Sequence, residues 1–201
     1  MSLEQEIAAA AARLVVEEGM EYATAKQRAA RSLRVRGALP RNEDVEDAVR
    51  EYLAVFCADT QPAELRALRE VAARWMERLR DFRPHLCGAV WRGTATRLSA
   101  VVLDLYADDP KGAELALIDL GVPYDAGQLP RETGGEPVMV LTLASRCAEL
   151  GESVTVHLKV HDHDDLRGAL KPDARGRPWR GDLAALQRLL QSDDAASEGT
   201  G

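Results

Sequence analysis

The chain of 201 residues has few aromatic side chains, which make up only 4% of it. Leu, Val and Ala must therefore supply most of the apolar area that its core buries. Cysteine is also scarce, and Cys57, Cys87 and Cys147 stand far apart, each in or next to an apolar segment. This spacing excludes a CxxC zinc site and does not suggest a disulfide framework, so we expect three buried thiols.

Long apolar runs are missing as well. The opening stretch, MSLEQEIAAAAARLVVEEG, carries acids where a signal peptide needs basic residues, and it is too polar for a membrane span. We therefore expect a cytoplasmic protein without membrane contacts. The net charge of -7 favours solubility and argues against a general nucleic-acid coat protein.

Helical patterning dominates the first half of the sequence. Apolar spacing and capping signals predict four helices, over residues 3–19, 24–33, 43–56 and 60–82. The last of these is the most regular, with Leu65, Leu68, Val71, Trp75 and Leu79 on one face.

The pattern changes after Pro84. Apolar, β-rich runs predict strands over 85–91, 99–107, 137–145 and 153–160, with a further short strand near Val122. Helices are expected over 109–121 and from Asp182. The sequence thus predicts an α+β fold, with a helical module over 1–83, a small mixed sheet with flanking helices over 84–191, and a disordered polar tail over 192–201.

A Gly-Thr pair, Gly93 and Thr94, precedes an apolar run that contains Asp104. Two more acids, Asp108 and Asp109, lie just beyond that run. The simplest interpretation is a turn, then a strand with a solvent-facing aspartate, then two acids that cap the helix beginning at Pro110.

The same segments resemble the polymerase-β-like nucleotidyltransferases. That superfamily follows one strand with a Gly-Ser turn, whose amides approach a phosphate, and places two acids two residues apart on the next strand. These acids hold two metal ions for nucleotidyl transfer. The segment GAVWRGT resembles the first strand and turn, with Gly93 and Thr94 in the Gly-Ser positions, and LSAVVLDLYADD resembles the second strand.

Residues 44–190 resemble more specifically a family of bacterial proteins with a nucleotidyltransferase-like domain. The resemblance rests on the segments DTQPAELRALREVA, GTAT with its following YADD, and DDLRGALKPDARGRP. Some members are named muramate-alanine ligase, but the sequence has no GxxxxGK[ST] loop for ATP-dependent ligation. The resemblance implies a nucleotide ligand and, for an active enzyme, Mg²⁺ as the cofactor.

The acidic pattern of that superfamily is incomplete here. Its two acid positions fall on Ala100 and Val102, and the residue two positions after Asp104 is Tyr106. The later strand that should carry a third carboxylate has only His157 and Lys159 as candidates at that place.

We therefore predict a nucleotidyltransferase-like protein that binds a nucleotide or a protein partner and has altered or lost transferase activity. If it is an active enzyme, Asp104 and Asp108 are its catalytic residues and bind Mg²⁺, while Gly93 and Thr94 form the phosphate turn.

A basic loop within LRGALKPDARGRPWR supplies a second predicted wall of the nucleotide site. Its cations would contact phosphates and its tryptophan would stack on a base; the residues are Lys171, Arg175, Arg177 and Trp179. The alternative is a solvated basic loop.

Three of the four histidines lie close together, at His157, His161 and His163. With the neighbouring aspartates they offer ligands for zinc, manganese or iron. The alternative is a strand that ends near Val160, followed by a turn capped by Asp164 or Asp165.

The segment 25–41 holds six basic residues and no acids, and the helix before it resembles the opening helix of TetR-type repressors. A helical interaction module, or a DNA- or RNA-binding module, is therefore an alternative function. Specific DNA binding is not favoured, because a proline-bearing and then acidic stretch stands where that family has its recognition helix.

Overall fold

The computed structural model describes residues 2–131 and 134–198. These residues form an α+β fold in which helices come first and a mixed sheet follows, as the sequence predicts, and the sheet has six strands. The chain divides into two compact units. One comprises the residues up to Glu64 together with Thr94–Ser99, and the other comprises Leu65–Gly93 together with the residues from Ala100 onward.

This division falls inside a helix, after Glu64. The predicted boundary between 1–83 and 84–191 instead separates the helical part of the sequence from the part that contains the strands. Every strand within the described residues does follow residue 84.

The first unit contains three helices: α1 (Leu3–Glu18), α2 (Tyr22–Ser32) and α3 (Asn42–Phe56). Ser2 begins α1 with a capping box, in which its hydroxyl accepts from the Gln5 amide and the Gln5 side chain accepts from the Ser2 amide. Helix α2 starts two residues before Thr24, which was predicted to cap it. Small and branched side chains fill the core between the three helices, among them Ile7, Ala11, Ala29, Val45 and Val49.

Helix α4 (Gln61–Arg78) supplies the second unit with a long apolar face. Leu68, Val71, Ala72, Trp75 and Met76 are buried along it, as their helical spacing predicts. A single 3₁₀ turn, Arg80–Phe82, then leads to the sheet.

The sheet has the strand order β3-β4-β5-β2-β1-β6. Neighbouring strands are antiparallel except β2 and β5, which are parallel. The strands are β1 (His85–Cys87), β2 (Val101–Ala107), β3 (Asp125–Leu129), β4 (Val138–Cys147), β5 (Glu152–Asp162) and β6 (Arg180–Gly181). The helices between and after them are α5 (Gly88–Arg92), α6 (Lys111–Asp119), α7 (Leu166–Ala169) and α8 (Leu183–Glu198).

Alternation along the strands gives the sheet two different faces. Leu86, Leu103 and Leu158 lie side by side in the register and are fully buried on one face. Helix α4 packs against this face, where the Trp75 indole N–H donates to the Ser145 hydroxyl at 2.9 Å. The opposite face is polar and carries Cys87, Asp104, Tyr106, His157, Lys159, His161 and Arg180.

Several predicted strand boundaries differ from those of the structure. The strand expected over 85–91 ends at Cys87, and the rest of that segment is helix α5. The short strand expected near Val122 begins at Asp125, and β5 continues to Asp162 rather than ending near Val160.

The disordered tail expected from residue 192 is helical as far as Glu198, and residues 199–201 lie outside the described part of the chain. Two arginines of α4 account for this order, because Arg69 pairs with Asp193 at 3.0 Å and Arg66 pairs with Asp194. No helix within the described ranges is long and apolar enough to cross a membrane.

Candidate functional site

Asp104 is the centre of the polar face. Its side chain is almost fully buried, yet both carboxylate oxygens have partners. His161 Nε2 lies 2.9 Å from Oδ1, and Arg180 Nη1 lies 2.6 Å from Oδ2. The same Arg180 nitrogen donates to the Tyr106 hydroxyl at 2.9 Å. Four side chains from three strands thus form one buried polar cluster, which we call the Asp104 cluster.

The sheet register explains how these residues meet. Strand β2 lies between β1 and β5, so that Asp104 is opposite His85 on one side and Lys159 on the other. Tyr106, two residues further along β2, is opposite His161. Arg180 comes from the edge strand β6, where it is opposite Cys87 of β1.

The cluster keeps Asp104 ionised. Burial alone would raise the pKa of its carboxyl group, but the hydrogen bond from His161 and the charges of Arg180 and Lys159 outweigh burial and hold this pKa below its usual value. Burial and the nearby Asp104 carboxylate raise the pKa of Tyr106 to about 12, so Tyr106 stays a neutral phenol. The same two causes raise the pKa of the Cys87 thiol.

Two histidine rings flank Tyr106, and hydrogen bonding fixes their tautomers. His161 stacks on Tyr106 at 5.3 Å and His85 contacts its edge at 5.5 Å between ring centroids. Because an ionised carboxylate only accepts, His161 donates from Nε2. His85 Nδ1 lies 2.8 Å from the Arg83 carbonyl oxygen, so this nitrogen donates, and Nε2 of a neutral ring is left as an acceptor.

A cleft of about 490 Å³ borders the Asp104 cluster. Strands β1 and β6, helix α8 and the segment before β6 form its walls. Its lining includes His85, Trp91, Leu170, Arg180, Arg188 and Leu189.

The predicted Gly-Thr turn does not follow a strand. Gly93 ends helix α5 in a left-handed conformation, with φ of 82°, and Thr94 is buried. The residue that directly follows β1 is Gly88, the first residue of α5, whose φ is 68°. A side chain there would contact Val102, the apolar residue at a predicted acid position. The role of Gly93 and Thr94 in phosphate binding stays a prediction.

The two predicted metal ligands occupy different surroundings. Asp104 lies within β2 and accepts from two protein groups, whereas Asp108 is exposed beyond the end of that strand. Within the described residues, no group of three or more His, Cys, Asp or Glu side chains is arranged to hold a metal ion. This donor set does not fit Mg²⁺, which needs carboxylate oxygens that are free to coordinate it.

The three clustered histidines have three different partners. His161 bonds Asp104, His157 lies 2.9 Å from the Thr142 hydroxyl, and both ring nitrogens of His163 lie within 3.3 Å of Arg83. The alternative interpretation of this stretch was wrong in its details, because β5 continues to Asp162. A different aspartate, Asp162, caps the turn that follows, since its side chain accepts from the Asp164 amide.

The basic loop is ordered around a buried acid that sequence inspection did not single out. Asp173 accepts from the backbone amides of Arg175 and Arg177 at 2.9 and 2.8 Å, and from the side chain of Arg92 at 2.8 Å. Burial opposes ionisation of Asp173, but these donors and the Arg177 charge hold its pKa well below the usual carboxyl value.

The predicted residues of this loop are therefore held by contacts within the protein. Arg92 lies over the Trp179 ring at 4.5 Å, Arg177 Nε also donates to Asp173, and Lys171 is exposed. The cleft wall is formed instead by Leu170, Pro178 and Arg180. Whether Lys171, Arg175, Arg177 and Trp179 contact a nucleotide stays a prediction.

Several basic residues of the N-terminal segment also have protein partners. Lys26 donates to the Pro40 carbonyl and the Asn42 side chain, and Arg28 pairs with Glu18 at 2.7 Å. Residues 33–41, all of them described, contain no helix. The helical interaction or nucleic-acid-binding alternative is left as a prediction.

Sequence reasoning missed most of the Asp104 cluster. One pattern in the sequence could have indicated it. Residues 102, 104 and 106 alternate along one strand and residues 157, 159 and 161 along another, so each set lies on one face of its strand. No such pattern indicates Arg180, which is far away in the sequence.

Comparisons of the chain with protein-family models, with curated proteins and with solved structures found no match.

Proposed function

We propose that the chain is a nucleotidyltransferase-like nucleotide-binding protein in which protein cations replace metal ions. It binds its ligand without Mg²⁺ and does not transfer a nucleotidyl group. One observation carries this proposal: the buried Asp104 carboxylate is bound on both oxygens, by His161 and by Arg180.

The charged residues of the polar face support the proposal that nucleotide binding here does not use Mg²⁺. Nucleotidyl transfer requires carboxylates that hold two divalent ions against the attacking and leaving oxygens. Ala100 and Val102 stand at the superfamily's acid positions, and the β5 residue opposite Asp104 is Lys159. Lys159 at this place favours an anion directly because it brings a positive charge, while Arg180 already pairs with the Asp104 carboxylate in the place of a metal ion.

The cleft beside this cluster is the proposed ligand site. Its volume is within the range of small-molecule pockets, and it combines apolar walls with a few polar groups. We further propose a cytoplasmic location, since Cys57, Cys87 and Cys147 are all free thiols, which suits a reducing compartment.

Thermal unfolding with each nucleotide, in EDTA and in Mg²⁺, tests the proposal. We expect at least one nucleotide to stabilise the protein in EDTA, by about 2.7 kcal/mol at one hundred times its dissociation constant. Mg²⁺ should not strengthen this effect, and labelled nucleotide should not be transferred to any acceptor.

A stabilisation that needs Mg²⁺ and disappears in Asp104→Asn would instead identify a metal-dependent transferase. The matched variant is Asp108→Asn, which removes the other predicted metal ligand at an exposed position. If no nucleotide stabilises the chain and it is retained on a protein partner, the interaction-module alternative is favoured.

A further inference from the structure

We infer that the cleft beside the Asp104 cluster takes a nucleoside monophosphate rather than a triphosphate. This inference rests on the proposed nucleotide-binding function and adds the class of ligand. Three properties of the cleft carry it: one arginine outside an ion pair, an aromatic and apolar wall, and a hydrogen-bond acceptor.

Of the two arginines that line the cleft, one is outside any ion pair that the described residues form. Arg180 is balanced by Asp104, and the Asp182 side chain accepts from the Ala185 amide at the start of α8. Arg188, one turn further along α8, lines the cleft and pairs with no carboxylate among the described residues.

One such guanidinium suits a single phosphate group, which it can bind through two parallel hydrogen bonds. A triphosphate is normally bound with Mg²⁺ and further cations, which neutralise its additional charge. The cleft offers one such guanidinium and also carries the Asp182 carboxylate, so it can hold a single phosphate group at Arg188 but lacks the positive charge for a triphosphate.

Trp91 gives the cleft an aromatic wall. The Trp91 indole donates to the Pro178 carbonyl at 2.9 Å, and its ring lies directly against Gly181. Leu170 and Leu189 add apolar area to the same cleft. An aromatic side chain held in place by its own hydrogen bond is suited to contact a planar base, because binding costs it little conformational freedom.

His85 supplies the acceptor. Its Nδ1 donates to the Arg83 carbonyl, so Nε2 is the nitrogen that accepts from a ligand hydroxyl when the ring carries one proton. The backbone of Arg83 is left-handed, with φ of 48°, an unfavourable conformation for a residue other than glycine. The fold thus maintains a strained residue whose carbonyl sets the tautomer of His85. A ribose hydroxyl is the donor that a nucleoside would offer.

Calorimetric titration in EDTA with the mono- and triphosphates of adenosine, guanosine, cytidine and uridine tests the inference. We expect at least one monophosphate to bind more tightly than its triphosphate. Arg188→Gln should weaken monophosphate binding by about tenfold or more. His85→Phe keeps an aromatic ring beside Tyr106 but removes the acceptor, and should weaken binding by a smaller factor of about three to tenfold.

The matched control is Arg167→Gln, which removes the same charge from an exposed position on α7 outside the cleft lining. It should bind like the unmodified protein. Thermal unfolding of each variant establishes that it is folded before its binding is compared.

The outcomes separate this inference from the proposed function. If triphosphates bind in EDTA and monophosphates do not, the ligand class is wrong while metal-independent nucleotide binding stands. If monophosphates bind equally well to the Arg188 and Arg167 variants, the assigned site is wrong. If no nucleotide binds in EDTA, both proposals fail.

Discussion

Gly181 lies directly against the indole of Trp91, and a methyl group on residue 181 would overlap with three carbon atoms of that ring. The glycine is buried, and Trp91 is held by its hydrogen bond to Pro178, so the ring cannot move away without losing a contact. We expect Gly181→Ala to lower the free energy of unfolding by about 2 kcal/mol or more, as overpacked interiors do. Urea denaturation measures this loss.

A control for this variant exists in the same unit. Gly168 lies in α7, where an added methyl group would meet nothing within 4 Å. Gly168→Ala should therefore leave stability unchanged or raise it by up to about 1 kcal/mol. An equal loss in both variants would mean that the Trp91 contact is not the cause.

Removing Arg180 from the Asp104 cluster should be costly. Arg180→Gln removes the guanidinium that pairs with the buried carboxylate, and breaking such a pair typically destabilises by about 3 kcal/mol. The double variant with Asp104→Asn should lose less than the sum of the two single losses, because the unpaired charge is then absent. Additive losses in this cycle would show that the two side chains are not coupled.

Acid should weaken the fold partly through Asp104. Its pKa is lowered in the folded protein, so its stabilising contribution is fully present above the usual carboxyl pKa of about 3.9 and is lost as the pH falls through the folded value. We expect the free energy of unfolding to decline with pH below about 5, and to decline less steeply in Asp104→Asn. Denaturation series at several pH values compare the two slopes. Identical slopes would contradict a lowered pKa at this residue.

The loop that follows α7 should depend on Asp173. Asp173→Asn removes the charge that accepts from Arg92, Arg175 and Arg177, so the amides of residues 175 and 177 should exchange their hydrogens faster. Hydrogen exchange of the peptide that covers residues 172–178 measures this change. The comparison variant is Asp108→Asn, at an exposed position for which no partner is found among the described residues. Unchanged exchange in Asp173→Asn would mean that this carboxylate does not order the loop.

The sequence allowed much of the architecture to be predicted. Helix α4 and strand β2 were located from apolar periodicity alone, because burial of one face imposes a strict repeat on the residues that provide it. The segment 85–91 was assigned wrongly because its apolar residues suit a buried strand and a short helix equally well. Local pattern does not separate the two over so few residues.

The site was harder to predict than the fold. Asp104 was identified as its central acid, but its partners lie 57 and 76 residues further along the chain, and only the register of β2 with β5 and the pairing of β6 bring them together. Arg180 belonged to a loop whose cations were all assigned to solvent or ligand. In the fold, Arg180 instead neutralises an acid within the protein.

The late position of β6 has a consequence during synthesis. A ribosome that has released only the residues up to β5 presents a chain in which Asp104 has no guanidinium to pair with, since Arg180 is still to be added. The nascent sheet therefore carries a carboxylate that lacks its guanidinium partner until the last strand is made. Any chain that terminates prematurely before residue 180 should be recognised as incomplete by cellular proteases, because its sheet cannot close around that charge.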